Sequence, residues 1–85
     1  MKQKVLKYDV IFEEQPEGGY TVTVPTLPGC ISEGNTFEEA RANIADAIQL
    51  YVEDMIADGE EVPVDTGSVF VGKIELPYPS IPAVI

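Results

Sequence analysis

The chain holds fifteen carboxylates, a single thiol at Cys30 and no histidine. Cys30 sits in VPTLPGCISEGNT, Val24 to Thr36, bracketed by Pro25 and Pro28 on one side and Gly34 on the other, with Gly29 directly before it. A cysteine nucleophile needs a neighbouring base to take its proton. Without histidine none is at hand, and Cys30 reads as a small buried hydrophobe. One cysteine makes no internal disulfide, and the usual Cys/His zinc set is absent. The acids do not follow the D-x-[DN]-x-[DN]-G calcium pattern, and neither a G-x-x-x-x-G-K-[ST] loop nor a dinucleotide glycine pattern occurs. The one catalytic option left is carboxylate chemistry, with Asp9 and either Glu33 or Asp46 holding two metal ions as in phosphoryl-transfer sites. Fifteen acids in so small a domain make chance proximity common, so a metal-dependent nuclease ranks last. The expectation is no enzyme, no cofactor and no metal.

Charge narrows the partners. Five Lys and Arg against fifteen Asp and Glu give a formal charge of −10, which repels phosphate backbones and anionic membrane surfaces. Nucleic acid and membrane are therefore not expected as direct partners. No apolar run approaches the roughly 20 residues of a membrane span, and the N-terminus lacks the apolar stretch of a signal peptide; a cytoplasmic protein is the default. Acidity serves solubility, or it draws in a basic protein partner.

The elements that must carry these residues follow from periodicity. Val5 to Phe12 places Leu6, Tyr8, Val10 and Phe12 on one face of a first strand. Gly18 and Gly19 in EEQPEGGY supply a hairpin turn, and Tyr20, Val22 and Val24 alternate along a second, antiparallel strand. Pro25 and Pro28 end that strand because proline has no N–H to donate, and a brief third strand falls within Gly29 to Asn35. Thr36 with Glu39 three residues on forms a capping box. A helix from about Thr36 to Asp58 follows, with Gly59 as a left-handed terminator. Its main apolar stripe is Phe37, Ala40, Ile44, Ala47, Ile48, Tyr51 and Met55. A second stripe, Ala42, Ala45, Val52 and Ile56, lies about 120° around the axis; it is either a widening of the core face eased by small alanines or a face covered by another chain. Val69 to Leu76 reads as a fourth strand, with Phe70, Ile74 and Leu76 on one face. The prediction is an α+β domain of order β-β-β-α-β: an antiparallel meander with one long helix on one face. Residues 1–76 form the domain and 77–85 a Pro-rich apolar arm.

Two candidate surfaces result. Glu13, Glu14 and Glu17 near the first turn, with Glu39, Asp46 and Glu53 on the helix, are expected to meet a basic partner. Ala45, Val52 and Ile56, with Tyr78, Ile81 and Val84 of the arm, are expected to join subunits of a homodimer or higher homo-oligomer.

The stretch GGYTVTVPTLPGCISEGNTFEEARANIADAIQLYVEDMIADGEEVP resembles the HicB-like antitoxin family, whose pattern has the form GGY-x-V-x-V-P-x-L-P-G-C-x-S-x-G-x-T-x-E-E-A, an N-x-x-E-A-I helix and a closing I-P or V-P. Gly18, Gly19, Tyr20, Val24, Pro25, Leu27, Pro28, Gly29, Cys30, Gly34, Thr36, Glu38, Glu39, Ala40, Asn43, Ala47 and Ile48 fall on pattern positions. Asp46 stands where the family usually has glutamate. The resemblance covers about Tyr8 to Pro63. It implies a partial ribonuclease-H-like fold, no catalysis, and a role in neutralising a small basic HicA-type toxin, an mRNA-cleaving ribonuclease, by covering its active site. Many members add a C-terminal DNA-binding segment. The sequence stops before one, so direct DNA binding is not expected. The alternative is an orphan oligomeric interaction module with the same fold and no toxin.

Overall fold

The computed structural model describes residues 5–65, 67 and 70–79. Ile81 and Val84, expected at a subunit interface, lie outside them, as does Val69. Three antiparallel strands, β1 (Ile11–Glu14), β2 (Tyr20–Thr23) and β3 (Ile31–Gly34), form a sheet of order β1-β2-β3. One helix, α1 (Phe37–Ala57), follows and packs against β2 and β3. The α+β class and the β-β-β-α order agree with the sequence.

β1 begins at Ile11, six residues later than its alternation suggests. Ile11 pairs with Thr23; Val24, next on β2, faces β3, where its N–H donates to the Cys30 carbonyl at 3.2 Å. Beyond it stands Pro25, which has no N–H, so residues 5–10 find no ladder on β2. Their face is nonetheless the expected one: Tyr8, Val10 and Phe12 are half-buried against the core.

The core is Val22, Val24, Leu27, Cys30, Ala40, Ile44 and Val52. Two consecutive tight turns hold Leu27 inside it: Leu27 N–H donates to the Val24 carbonyl at 3.1 Å, and Cys30 N–H to the Leu27 carbonyl at 3.0 Å. The second turn has Pro28 at its first central position and Gly29, with φ of +84°, at the next. That is the residue choice of a type II turn, where only the second central residue needs positive φ. Tyr51 Oη donates to the Pro28 carbonyl at 2.8 Å and ties the loop to the helix.

Both helix ends are closed. Thr36 Oγ1 accepts from Glu39 N–H at 3.1 Å, while Glu39 Oε1 accepts from Asn35 N–H at 3.3 Å, so the capping box reaches back one residue further than Thr36. At the other end, Glu60 N–H donates to Met55 and Gly59 N–H to Ile56, with Gly59 at φ of +72°, which is a Schellman closure.

Two expectations need correction. Val52, placed in the second stripe, is only 9% exposed and belongs to the chain's own core. The chain turns back at Gly59, Val62 packs against the same cluster, and Tyr8 Oη donates to the Pro63 carbonyl at 2.6 Å, so the helix is covered over a wider arc than a flat sheet reaches. The fourth strand is not formed among the described residues. Residues 70–76 join no ladder and are exposed throughout; alternation favours a strand but supplies no partner for it.

Candidate functional site

Three aromatic rings set the helix start over the hairpin end of the sheet. Phe37, in the first turn of α1, stacks on Phe12 of β1 with centroids 4.5 Å apart and meets Tyr20 of β2 edge-on at 6.1 Å. Beneath them the backbones of β3 and α1 almost touch. A Cβ at Gly34 would lie 2.3 Å from the Ala40 nitrogen, and one at Gly19 would lie 3.0 Å from the Gly34 carbonyl oxygen. Both positions are therefore held to glycine by space, and Gly19 also by its φ of +85°.

This close approach leaves a hollow of about 460 Å³ between the β1–β2 turn and the helix start, walled by Gln15, Glu17, Tyr20, Glu33, Asn35, Glu39 and Asn43. Glu17 and Glu39 are its acidic side chains, Glu33 contributes the backbone carbonyl that Asn43 meets, and no basic side chain lines it. Its shape is held by short hydrogen bonds: Gln15 Nε2 donates to Thr21 Oγ1 at 3.0 Å, and Asn43 Nδ2 to the Glu33 carbonyl at 2.8 Å. The backbone N–H groups at a helix start favour an anion, but here Thr36 already takes that of Glu39, and the Glu39 carboxylate folds back onto the Asn35 N–H just before them. The hollow is therefore suited to a cationic side chain.

The acidity continues along α1. Glu39, Asp46 and Glu53 are spaced by seven residues, so they fall on one ridge about 10.5 Å apart at 1.5 Å per residue, and all three are exposed. Asn43 lies on that ridge and Gln49 beside it, with Gln49 Nε2 donating to Glu53 Oε2 at 3.3 Å. Glu13 lies on the sheet face away from the helix, opposite Thr21, which in turn pairs with Glu33. Glu14 is the exposed last residue of β1. Of the expected partner-binding acids, Glu17 and Glu39 share the hollow, Asp46 and Glu53 extend it, and Glu13 and Glu14 stand apart on the strand. Sequence reasoning did not place Glu33 or Asn43 in this site. Asn43, one turn beyond Glu39, was readable from helical spacing; Glu33 reaches the hollow only because Gly34 lets β3 meet the helix.

Asp9, Glu33 and Asp46 do not form a metal set, and among the described residues no group of three or more His, Cys, Asp or Glu could hold a metal ion. Burial raises the Cys30 thiol above its ordinary value, so it holds less thiolate at neutral pH. Far from the hollow, Asp65 accepts from Asp9 N–H at 2.7 Å and Gly67 N–H at 2.8 Å. Those backbone donors, Asp9 first, lower its pKa. No helix among the described residues is long and apolar enough to cross a membrane.

Of the expected interface residues, Ala45 and Ile56 are exposed on α1 and Tyr78 is exposed in the arm, whereas Val52 is buried as described above.

Residues 8–74 match the family model described as the HicB-like antitoxin of bacterial toxin–antitoxin systems. A UPF0150 protein of Synechocystis is 46% identical over 61 residues, covering 72% of this chain and 77% of the relative. A UPF0150 protein of Thermoplasma acidophilum is 43% identical over 60 residues, 71% and 87% respectively. The protein named Antitoxin HicB 1 of Photorhabdus laumondii is 34% identical over 74 residues, which is 87% of this chain and 47% of that longer protein.

Proposed function

The chain belongs to the HicB-like antitoxin family, and from that premise we propose that it binds and neutralises a small basic HicA-type toxin by covering the toxin's mRNA-cleaving site. The chain's part is then non-catalytic, carried out in the cytoplasm by a homo-oligomer built on a partial ribonuclease-H-like fold. The observation that carries the reading is the acidic row, with Glu17 and Glu39 at the hollow and Asp46 and Glu53 exposed along the ridge on either side of Leu50. A ribonuclease that grips a phosphate backbone presents cationic side chains at its active site, and an acidic row that enters that groove takes the place of the RNA.

Electrostatics of this kind speaks mainly through association rate. Glu17→Lys, Asp46→Lys and Glu53→Lys together leave the Glu39 cap in place and are expected to slow association with the toxin by about tenfold or more at low salt. Wild-type and variant rates should converge as salt screens the field. Co-expression with a HicA-type toxin, followed by stopped-flow binding, reads both effects. Binding that ignores salt and all three reversals sinks the acidic-surface reading.

The orphan-module reading draws on a different observation: several large apolar side chains stand exposed near the C-terminal end of the described chain, which favours assembly of the chain with itself.

A further inference from the structure

Residues 70–79 carry Phe70, Val71, Ile74, Leu76 and Tyr78, each at least 79% exposed. Monomeric proteins rarely leave so contiguous an apolar stretch in water. It has the alternation of a strand, with Phe70, Ile74 and Leu76 on one side and Val71, Lys73 and Glu75 on the other. It leaves the body beside β1: Phe70 and Val71 line a hollow of about 270 Å³ with Asp9, Val10, Ile11 and Pro25. β1 is an edge of the sheet, and residues 5–10 leading into it pair with no strand among the described residues. A row of unpaired backbone groups of this kind is a template for another strand. One chain thus presents an unpaired strand and an unpaired edge side by side.

Charge identifies the occupant. Residues 5–12 contain Lys7 and Asp9, and residues 70–76 contain Lys73 and Glu75, so each segment is neutral within a chain of charge −10. A basic partner is drawn to the acidic ridge and has no electrostatic reason to choose this neutral edge. Both segments read positive and then negative two residues on. Aligned in parallel, Lys73 meets Lys7 and Glu75 meets Asp9, which is repulsive. Aligned antiparallel, Lys73 faces Asp9 and Glu75 faces Lys7. The same register sets Phe70 opposite Phe12, Ile74 opposite Tyr8 and Leu76 opposite Leu6, all on the core side. The chain's own path runs the other way: Pro63 is tied to Tyr8 and Asp65 to Asp9, and Phe70 and Val71 then come beside Ile11, so it travels in the direction of β1. The antiparallel seat calls for a second copy.

We propose that residues 70–76 of one copy add as an antiparallel strand to the β1 edge of a second copy, and that the second copy returns the same strand, giving a two-fold dimer. The proposal rests on the reading that the chain assembles with itself and is independent of toxin binding. Gln15 N–H turns to the Gly19 carbonyl across the hairpin, so the even positions of β1 turn to the open edge, and in the pair Phe12 N–H meets a carbonyl of the incoming strand. Two seven-residue strands with these side chains cover on the order of 1,400 Å² in all, within the range of specific interfaces.

Sedimentation equilibrium of the full chain should give twice the 9.2 kDa chain mass. Ile74→Asp should return the monomer with its helical circular dichroism unchanged, because the side chain is 94% exposed in the single chain. Lys73→Glu should weaken the dimer roughly tenfold through its two symmetric pairs, and Lys73→Glu combined with Asp9→Lys should restore it. A monomeric wild type overturns self-assembly and the exchange with it. A dimer indifferent to both Ile74→Asp and Lys73→Glu overturns the exchange alone and leaves assembly through another surface. Cross-linking separates the last case: with Cys30 replaced by alanine, mixed Lys73→Cys and Asp9→Cys chains should form a disulfide between chains, and a disulfide found only within a doubly substituted chain overturns the proposal.

Discussion

Replacing Gly34 with alanine tests the joint on which the site is built. The added methyl carbon would stand 2.3 Å from the Ala40 nitrogen, 2.7 Å from the Ala40 Cα and 2.8 Å from the Glu39 carbonyl carbon, where ordinary contact begins near 3.4 Å. The first turn of α1 must therefore retreat by about 1 Å, the order of displacement that overpacked cores show. All three obstructing atoms are backbone, so no rotamer change relieves them. The retreat also pulls Phe37 away from Phe12 and Tyr20 and loosens Ala40, which is fully buried. We expect the upper end of the overpacking range, about 3 kcal/mol, which for a domain of this size lowers Tm by roughly 12–24 °C. Gly18→Ala is the control. Nothing lies within 4 Å of its added carbon, so it bears only the left-handed backbone cost of its φ of +99°, about 1–2 kcal/mol. Thermal and urea unfolding of the two variants measures the difference. A Gly34→Ala protein as stable as wild type, or more stable than Gly18→Ala, would refute the close approach of β3 and α1 and the hollow that depends on it.

Other outcomes follow from single contacts. Thr36→Ala removes the acceptor for Glu39 N–H and should cost about 1 kcal/mol in urea unfolding, with Thr36→Ser losing little. Native Cys30, buried with its pKa raised, should react with a thiol reagent far more slowly than it does in urea; equal rates would place it at the surface. Asp65 has its pKa lowered from 3.8, chiefly by the Asp9 N–H. A lowered carboxyl stabilises the fold fully above its ordinary value, and that contribution is lost as pH falls through the lowered one. Acid titration of the unfolding midpoint should therefore show a loss that Asp65→Asn removes, and an identical acid limb in both proteins would contradict the contact.

Much of the fold was readable because local chemistry and tertiary structure agree. Thr36 and Gly59 mark the helix ends by their own capping chemistry, and the even positions Tyr20, Val22 and Val24 face the core as alternation requires. The misreadings arise where a neighbour decides. Val5 to Val10 has strand alternation, but Pro25, the next residue of β2 to face it after Thr23, has no N–H and leaves those residues no ladder. Val52 sits 120° from the main stripe at about 100° per residue, and only the return of the chain through Val62 covers it. Residues 70–76 have strand character without a partner in their own chain. In the acidic site, Glu39, Asp46 and Glu53 were legible from the heptad spacing of one helix. Glu33 belongs to a different element, and its place depends on a backbone approach that periodicity does not encode.

The central claim is inhibition of a toxin by an acidic surface. Its most direct measurement is mRNA cleavage by a purified HicA-type toxin, followed as the chain is added. Cleavage should fall to background near equimolar chain, and Glu17→Lys, Asp46→Lys and Glu53→Lys together should demand a large excess for the same effect at low salt. Undiminished cleavage at a large excess of folded wild-type chain would contradict it.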